Sequence, residues 1–535
     1  MYDLVNLERF YNNEKFKGDV MDKIIEFKSE PNSYWIASTK STDYPKLEED
    51  LEVDVAIIGG GIVGITTAYL LAKQGVKAAV LEADFILQGT TGHTTAKITS
   101  QHSFIYARLI KEHGHELARQ YAEANQSAIK KVAEIAKDYK IDCDFSWQPA
   151  YLYTEQDKYI KEIEDEIQAA RSLGIESDFT EKIGLPISVK GAMRFDNQAQ
   201  YHPLKFLQAL AEEVIKNGGL IFEQTEAIQI DDNEVVITKN GHKVKADKVI
   251  IASHYPFFDG GGLFFSRIYQ ERSYIVGMQI EEKFPEGYFI NAETPTRSLR
   301  AQPYEHGDLV LVGGEHHKAG QGQTTNTHYQ NLLDFAHQTF TVKDVSYRWS
   351  TQDCMTIDGL PYVGHLTVRS PNLYVATGFG KWGMSNGIAA AMIISDLIVK
   401  GENPWAEIFT PSRLTPASIK SFAIQNVNVA KNLIAGKLEK LPEEVEIERG
   451  EAALIKTEGQ RIGVYKDETG KLHMVDTTCT HFGCELNWNE GEKSWDCPCH
   501  GSRFSYEGEI MHGPAIEPLH RLGEDKNRVE ARVFK

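Results

Sequence analysis

Thiols and imidazoles are concentrated in two short stretches near the C-terminal end of this chain of 535 residues. The chain has six cysteines, and four of them lie in CTHFGC at Cys479–Cys484 and CPCHGS at Cys497–Ser502, each stretch with one histidine. Cysteine thiolates and neutral imidazoles are ligands for zinc and for iron. The two stretches therefore predict a metal centre held by two loops.

The pairing of these residues distinguishes two kinds of metal centre. Cys479 and His481 form one pair, and Cys497 and His500 form the other. Two thiolates and two imidazoles are the ligand set of a Rieske [2Fe–2S] centre, with the thiolates on one iron and the imidazoles on the other. A zinc site is the alternative, but it leaves the other two cysteines of these stretches unexplained. We favour the iron–sulfur centre.

A glycine pattern far upstream predicts a dinucleotide-binding unit. Gly59-x-Gly61-x-x-Gly64 follows an apolar strand and opens a helix, and Glu82 closes the next strand. The first glycine permits a tight turn, the second lets the backbone approach a pyrophosphate, and the third lets helix and strand pack closely. The helix N-terminus offers N–H groups to phosphates. Glu82 is placed to bind ribose hydroxyls, which fits FAD or NAD.

From about Val53 to Pro411 the chain resembles the D-amino-acid oxidase superfamily of FAD-dependent amine and amino-acid oxidoreductases, which includes glycine oxidase and the sarcosine and dimethylglycine dehydrogenases. The resemblance implies FAD as cofactor and an α/β FAD-binding domain, Rossmann-like and of the glutathione-reductase type, with an inserted α+β substrate domain. It rests on the glycine pattern with Glu82, GTTGHTTAK at Gly89–Lys97, TIDGLPYVG at Thr356–Gly364 and ATGFGKWGMSNG at Ala376–Gly387.

The resemblance also implies which residues contact FAD. In the family the last of these stretches is a second flavin-binding turn, where glycines let backbone amides approach the isoalloxazine. The helix after it directs its N-terminus at the flavin edge that gains negative charge on reduction. The segment Thr225-Glu226-Ala227 is expected to end a strand and supply a backbone contact to adenine. The expected FAD contacts are Gly59, Gly61, Gly64, Glu82, Thr90, Thr91, His93, Ala227, Gly378, Gly380, Gly383 and Met384.

His93 lies where some relatives bind their flavin covalently. In the sarcosine and dimethylglycine dehydrogenases this loop reads G-S-T-W-H, whereas here it reads GTTGH without the tryptophan. We therefore expect a non-covalent flavin with His93 as a polar contact, and a covalent link stays open.

Two residues are candidates for the substrate pocket. Relatives hold an amino-acid carboxylate with arginine, and Asp353 stands where the glycine oxidase branch supplies that arginine. A carboxylate there suits a cationic amine; the alternative is that Asp353 ends a strand and points to solvent. Arg300 or Arg348 would compensate for the missing arginine, and we name Arg300 and Asp353 as candidates. Hydride transfer from an unprotonated amine needs no strong base, so no catalytic acid or base is named.

Residues from about Val445 to Lys535 resemble the Rieske proteins of cytochrome bc complexes through CTHxGC and CPCHGS. The resemblance implies that the cluster ligands are Cys479, His481, Cys497 and His500, and that a disulfide joins Cys484 and Cys499. Ser502 matches a serine that tunes the cluster by a hydrogen bond to sulfur. Phe504 replaces a tyrosine donor, so we expect a potential below that of the bc-type proteins.

The chain is long enough for two to four folded units. We divide it into an N-terminal extension (1–50), the FAD-dependent oxidoreductase (51–411), a linker (412–442) and a small all-β Rieske domain (443–535). The spacing of apolar residues predicts further elements. They are helices at Asp19–Ser29, Ala118–Tyr139, Gln156–Leu173, Pro203–Asn217 and Pro416–Glu439, one strand in GGLIFEQTEAIQI, a hairpin at Asn240-Gly241, and mostly short strands from Leu309 to Gly364.

Composition limits the partners and the compartment. The net charge of −19 argues against nucleic acid as a partner, because phosphate binding requires clustered lysine and arginine. The N-terminus has no apolar region of a signal peptide, and the most apolar stretches do not fit a membrane span. We expect a cytoplasmic protein.

The two motifs predict one redox protein. We expect it to take a hydride from a C–N bond of a small amine or amino acid onto FAD and to pass electrons singly through the cluster to an unidentified acceptor. One alternative is reversed flow, in which the Rieske domain feeds a flavin reductase or monooxygenase. The other is a Rieske domain that acts as a redox sensor or docking module without turnover.

Overall fold

The computed structural model describes residues 31–305, 307–322, 324–413, 416–457, 459–522 and 533–534. The helix predicted at Asp19–Ser29 lies outside this range. Up to residue 251 the elements are α1 (Tyr34–Ala37), β1 (Leu51–Ile58), α2 (Ile62–Ala72), β2 (Ala78–Leu81), β3 (Lys97–Ile98), α3 (Tyr106–Asp138), β4 (Ser146–Thr154), α4 (Ile160–Ser172), β5 (Ser177–Thr180), β6 (Gly191–Gln200), α5 (Pro203–Lys216), β7 (Leu220–Phe222), β8 (Ala227–Ile230), β9 (Val236–Thr238) and β10 (Lys243–Ile251).

The chain continues through a second set of helices and long strands and then through short strands only. The second set is α6 (Phe264–Arg267), β11 (Ile268–Ile280), β12 (Tyr288–Asn291), β13 (Arg297–Tyr304), β14 (Gly307–Lys318), α7 (Thr325–Thr339), β15 (Val342–Thr356), β16 (Tyr362–His365), β17 (Leu373–Thr377), α8 (Gly383–Val399), α9 (Ala406–Phe409) and α10 (Pro416–Leu438). The short strands are β18 (Val445–Glu446), β19 (Ala452–Thr457), β20 (Gln460–Lys466), β21 (Leu472–Asp476), β22 (Asn487–Asn489), β23 (Ser494–Asp496), β24 (Arg503–Ser505), β25 (Ile510–His512) and β26 (Val533–Phe534).

The first sheet is the predicted Rossmann-like sheet. Its strand order is β16-β17-β10-β1-β2-β7, with β8 and β9 attached beside β10. The strands β17, β10, β1, β2 and β7 run parallel. β1 ends in four consecutive buried residues, as expected for a parallel strand covered on both faces. The unit β1–α2–β2 confirms the predicted strand, glycine turn, helix and strand.

The second sheet has nine strands in the order β15-β11-β14-β13-β12-β4-β6-β3, with β5 beside β6. Its edge pair, β11 and β15, is antiparallel from Ile268↔Thr356 to Ile280↔Val342. The prediction of mostly short strands from Leu309 to Gly364 is wrong, because β14 and β15 have 12 and 15 residues and α7 lies between them. The buried side chains of α7 follow helical spacing: Tyr329, Leu332, Leu333 and Ala336.

Other predicted elements differ in their boundaries. The strand predicted in GGLIFEQTEAIQI is two strands, β7 and β8, because Gln224 has a positive φ of 47° and Thr225 N donates to Glu82 O at 2.7 Å. Ala227 therefore begins a strand instead of ending one. The helix predicted at Ala118–Tyr139 starts earlier, at Tyr106, with a break at Gly114. The helices α4, α5 and α10 and the hairpin β9–β10 confirm their predictions.

The C-terminal strands form small antiparallel sheets, β19-β20-β21 and β22-β23-β24-β25, with β18 paired to β26. This confirms the small β domain, while the residue boundaries between the domains stay predictions. Trp495, Phe504, Val475 and Leu486 are buried with the four cysteines of the two metal-binding stretches. Val429 and Leu433 of α10 pack against the same core. Within the described residues, no helix is both long and apolar enough to cross a lipid bilayer.

Candidate functional site

The two cysteine–histidine stretches form matching loops at the end of the small β domain. Gly483 N donates to Cys479 O at 2.8 Å, and Gly501 N donates to Cys497 O at 3.0 Å. Both glycines have positive φ values, 69° and 78°, which favour glycine over residues with a Cβ atom. The first loop follows β21, and the second connects β23 to β24. The sheets thus bring together residues that lie 18 positions apart in sequence.

A disulfide joins the two loops. Cys484 and Cys499 are bonded, with their Cα atoms 6.5 Å apart. The thiols of the other two cysteines, Cys479 and Cys497, are hydrogen-bonded to each other. The disulfide therefore leaves one free thiol in each loop, which is the arrangement that the Rieske resemblance implies.

The two histidines fit the remaining positions of a [2Fe–2S] site. The rings of His481 and His500 lie 5.0 Å apart, and their Nδ1 atoms are buried without a hydrogen-bond partner in the described part of the chain. Burial lowers the pKa of each imidazole to about 4, so both are neutral, as metal ligands must be. Two buried acceptor nitrogens beside two thiols are the donor set that this cluster requires.

Ser502 is in position to tune the cluster. Its side chain is buried, accepts a hydrogen bond from Ala515 N at 3.1 Å and hydrogen-bonds to the Cys479 sulfur. Such a donor stabilises the additional negative charge of the reduced cluster. Phe504 is buried against the cluster-side core and has no hydroxyl to donate.

We expect Ser502→Ala to lower the reduction potential of the cluster by about 60–130 mV, the equivalent of the ~1.5–3 kcal/mol of a hydrogen bond to a charged group. The measurement is a redox titration followed by EPR. Ser505→Ala serves as the control, because the Ser505 hydroxyl in β24 accepts hydrogen bonds from Glu507 N and Glu509 N of its own turn. An unchanged potential in the Ser502 variant would exclude the tuning role.

The turn between β1 and α2 has the close approach that a bound pyrophosphate requires. A Cβ atom at Gly64 would lie 1.9 Å from Gly59 O, so only glycine allows this contact of helix and strand. Gly61 begins α2 without any side-chain cap. The N-terminus of a helix is an anion site, and a glycine at its start leaves room for a phosphate to approach. The expected FAD contacts Gly59, Gly61 and Gly64 therefore lie together at the C-terminal ends of the parallel strands, where nucleotides bind in such sheets.

Glu82 and the adenine-side segment lie at the same edge of the sheet. One Glu82 oxygen accepts from Gly60 N at 2.7 Å and the other from Asp84 N at 3.1 Å. The Glu82 carbonyl accepts from Thr225 N, which places Ala227 two residues away at the start of β8. The carboxylate is thus held rigidly beside the glycine turn, where ribose hydroxyls would be bound.

The predicted flavin loop forms a short 3₁₀ helix, Thr90–His93. Thr91 Oγ1 accepts from Ile62 N at 3.0 Å, and Thr90 Oγ1 donates to Gln352 O at 3.4 Å. His93 Nδ1 lies 2.8 Å from Gly89 O, and burial lowers the pKa of this histidine. The loop therefore bridges the nucleotide-binding turn and β15 of the second sheet.

The second predicted flavin turn connects β17 to α8. Gly378 and Gly380 have φ values of 73° and 55°, and a Cβ atom at Gly378 would lie 2.2 Å from the Thr356 side chain. Gly383 begins α8 without a side-chain cap, and Met384 is buried behind it. His254, just beyond β10, has a buried Nε2 atom without a partner in the described residues. An orphaned polar atom at this edge fits a bound cofactor.

Asp353 lies within β15, three residues before its end, opposite Glu271 of β11, and is buried. The alternative that it ends a strand and points to solvent is therefore wrong. Lys381, from the second flavin turn, has its Nζ atom 3.1 Å from Glu271 and 3.6 Å from Asp353. Burial raises the pKa of Asp353. Glu271 also lies directly opposite Lys318 of β14, so two carboxylates and two lysines lie along this part of the sheet.

Arg300 does not lie in an open pocket. Its side chain is fully buried, and its guanidinium donates to the carbonyls of Thr95, Ala96 and Ala301 and to the Gln302 side chain. These contacts occupy all five of its N–H groups. The expectation that Arg300 binds a substrate carboxylate is therefore corrected: Arg300 anchors the segment after the flavin loop.

The small β domain packs directly on the outer face of β11 and β15. Gln352 Nε2 donates to Gly501 O at 2.7 Å, and Gln270 Nε2 donates to Gly513 O at 3.2 Å. A Cβ atom at Gly320 would lie 2.7 Å from the Cys497 carbonyl carbon. Because side chains alternate along a strand, Gln352 faces the cluster loop while its neighbour Asp353 faces the other side. The alternation of residues along β15 predicts that Gln352 and Asp353 face opposite sides of the sheet. It does not reveal which segment of the chain contacts Gln352.

Comparisons with known proteins agree with both halves of the chain. Residues 54–397 match the FAD dependent oxidoreductase family, and residues 438–523 match the Rieske [2Fe-2S] domain. The chain is 46% identical over 503 residues to the Rieske 2Fe-2S iron-sulfur protein YhfW of Bacillus subtilis. The matched region covers 93% of this chain and 99% of that protein. It is 24% identical to the gamma-glutamylputrescine oxidoreductase of Escherichia coli, over 69% of this chain and 88% of that protein.

Solved structures share the larger fold. Glycine oxidase from Geobacillus kaustophilus superposes with a TM-score of 0.58 at 18% identity, covering 68% of this chain and 99% of that chain. L-proline dehydrogenase from P. horikoshii superposes with a TM-score of 0.56 at 20% sequence identity, covering 68% of this chain and 98% of that chain. The cofactors are FAD and a Rieske [2Fe–2S] cluster. The chain belongs to the FAD dependent oxidoreductase family, with a Rieske [2Fe–2S] domain following its oxidoreductase domain.

Proposed function

We propose that this protein is a dehydrogenase of a small amine or amino acid that delivers the electrons one at a time to an external acceptor. When bound, FAD supplies a two-electron acceptor for hydride and the [2Fe–2S] cluster supplies a one-electron carrier. The residues that would hold FAD are the two glycine turns, Glu82 and the Thr90–His93 loop. Cys479, His481, Cys497 and His500 would hold the cluster.

The observation that carries this proposal is the position of Gln352 between the two sites. Its backbone carbonyl accepts from Thr90 in the flavin loop, and its side chain donates to Gly501 in the cluster loop. Arg272 Nη2 donates to the same side chain at 2.8 Å. The fully buried Arg272, on the neighbouring strand, thus orients the glutamine that donates across the contact to the cluster loop. This supports electron transfer within one chain.

The charge on the inner face of β11 and β15 supports a cationic substrate. Asp353 and Glu271 lie there beside Lys381 of the second flavin turn, and Asp353 stands where relatives carry the arginine that binds a carboxylate. Arg300 has no free donor for a carboxylate. We therefore propose an amine, or an amino acid bound through its ammonium group, as the substrate class. The chain is similar to a gamma-glutamylputrescine oxidoreductase, and the compound in that protein's name is an amine.

We expect Gln352→Glu to slow the reduction of the cluster by up to about tenfold. The new carboxylate keeps one oxygen facing Arg272, but its second oxygen replaces the N–H group that donates to Gly501 O. The loss of this hydrogen bond removes ~1–1.5 kcal/mol from the contact, and the carboxylate oxygen repels the carbonyl oxygen of Gly501. The rate is measured as the appearance of the reduced-Rieske EPR signal after rapid mixing with substrate.

Gln200→Glu is the matched control, because Gln200 is also a buried glutamine that donates to a carbonyl, Ala301 O, at 3.0 Å. Equal rates in the two variants would show that the Gln352 contact does not govern electron transfer.

The function is tested by anaerobic mixing of the purified protein with secondary and tertiary amines, D- and L-amino acids, and NAD(P)H. Flavin bleaching and the reduced-Rieske EPR signal are followed in the same samples. We expect an amine to bleach the flavin first and the EPR signal to follow. Reduction of the cluster by NAD(P)H or an added reductase, with the flavin reduced afterwards, would establish the reversed circuit instead.

A further inference from the structure

The helix α10 leaves a row of large apolar side chains exposed instead of turning them toward the protein. Its outward face carries large apolar side chains, with Val427 and Ile434 exposed by 68% and 60%. A surface helix of a globular protein normally turns such residues inward. The apolar residues of this face are Ile419, Ala423, Ile424, Val427, Ala430, Ile434 and Leu438.

The inward face of α10 is polar instead. Gln425 and Asn428 accept hydrogen bonds from Lys318 of β14, and Asn426 donates to Ser266 O at 3.1 Å. Only a few apolar side chains, such as Val429 and Leu433, point toward the small β domain. The helix is thus anchored to the protein by amides, while its apolar stripe is left in water. A stripe of this kind marks an interaction surface.

The charges on the helix differ from those of the protein as a whole. Residues 416–438 contain three lysines and no acidic residue, in a chain with a net charge of −19. Lys437 is paired with Glu485 at 2.6 Å, whereas Lys420 and Lys431 lie within the exposed apolar face. At 1.5 Å per residue, a helix of 23 residues presents this surface over roughly 35 Å.

We propose that α10 binds the protein to the surface of an anionic lipid membrane. An apolar stripe with lysines is the pattern of a helix that lies in the membrane interface, where lysine stems lie along apolar surface and their ammonium groups reach lipid headgroups. A second copy of the chain fits less well. Pairing two such helices would bury lysines of both copies without a carboxylate from either helix.

The test is co-sedimentation of the holoprotein with extruded vesicles at physiological salt. One set of vesicles is phosphatidylcholine, and the other is phosphatidylcholine with phosphatidylglycerol. We expect binding to the anionic vesicles to be at least tenfold stronger, and Lys420→Gln with Lys431→Gln to weaken it about tenfold or more. Ile419→Asn with Val427→Asn and Ile434→Asn is expected to abolish it.

Val368→Asn is the matched control, because Val368 is 83% exposed but lies outside α10. The visible spectrum of flavin and cluster verifies that each variant is folded. The proposal is overturned if the wild-type protein stays in the supernatant with both vesicle types. It is also overturned if light scattering gives the mass of two chains and the triple variant restores that of one, since the stripe would then join copies of the chain.

Discussion

Cys497→Ala is expected to leave a folded protein that contains FAD and lacks its [2Fe–2S] cluster. Cys497 supplies one of the two free thiols between the loops, and its thiol is hydrogen-bonded to Cys479. One remaining thiolate cannot hold an iron that requires two. Iron and acid-labile sulfide should fall to background, and no EPR signal should develop on reduction.

The control for this substitution is Cys143→Ala. Cys143 is also a buried free cysteine, but it lies in the core of the larger domain. It should keep its full iron content. Flavin content should be unchanged in both variants, because the FAD-binding turns lie on the first sheet. A cluster retained by Cys497→Ala would contradict the ligand assignment, and simultaneous loss of FAD would show that the two sites fold together.

Gly64→Ala is expected to reduce the FAD content of the purified protein at least tenfold. The added Cβ atom would lie 1.9 Å from the backbone atom Gly59 O, and the backbone fixes the positions of both atoms. The helix must then move away from β1, which displaces the N–H groups that bind the pyrophosphate. Overpacking of this kind costs about 1–3 kcal/mol or more. Flavin absorbance per chain and the melting temperature measure the two effects.

Gly89→Ala provides the comparison within the same cofactor site. Gly89 precedes the flavin loop, has a negative φ of −72°, and a Cβ atom there meets nothing within 4 Å. This variant should bind FAD normally. If Gly64→Ala retained its flavin, the close contact of α2 with β1 would not be a requirement of the site.

The local motifs were predictable because their chemistry is encoded in neighbouring residues. The turn Gly59–Gly64, the helix after Gly383 and the two loops around Cys479 and Cys497 each need only a short segment to define them. By contrast, α7 and the length of β15 were missed, because an alternating apolar pattern does not reveal how far a strand pairs. Arg300 was misplaced for a related reason, since two of its acceptors, the carbonyls of Thr95 and Ala96, lie 205 and 204 positions earlier in the chain.

The sequence by itself determined the family, both cofactors and the residues expected to hold them, because strand–glycine–helix units and Cys–His loops are local patterns. Tertiary structure alone decided how the halves meet. Gln352 touches the Thr90 loop 262 positions earlier and the Gly501 loop 149 positions later. Likewise only packing showed that α10 turns its amides inward and its apolar residues outward. Contacts between distant segments depend on the whole fold, and no local pattern specifies them.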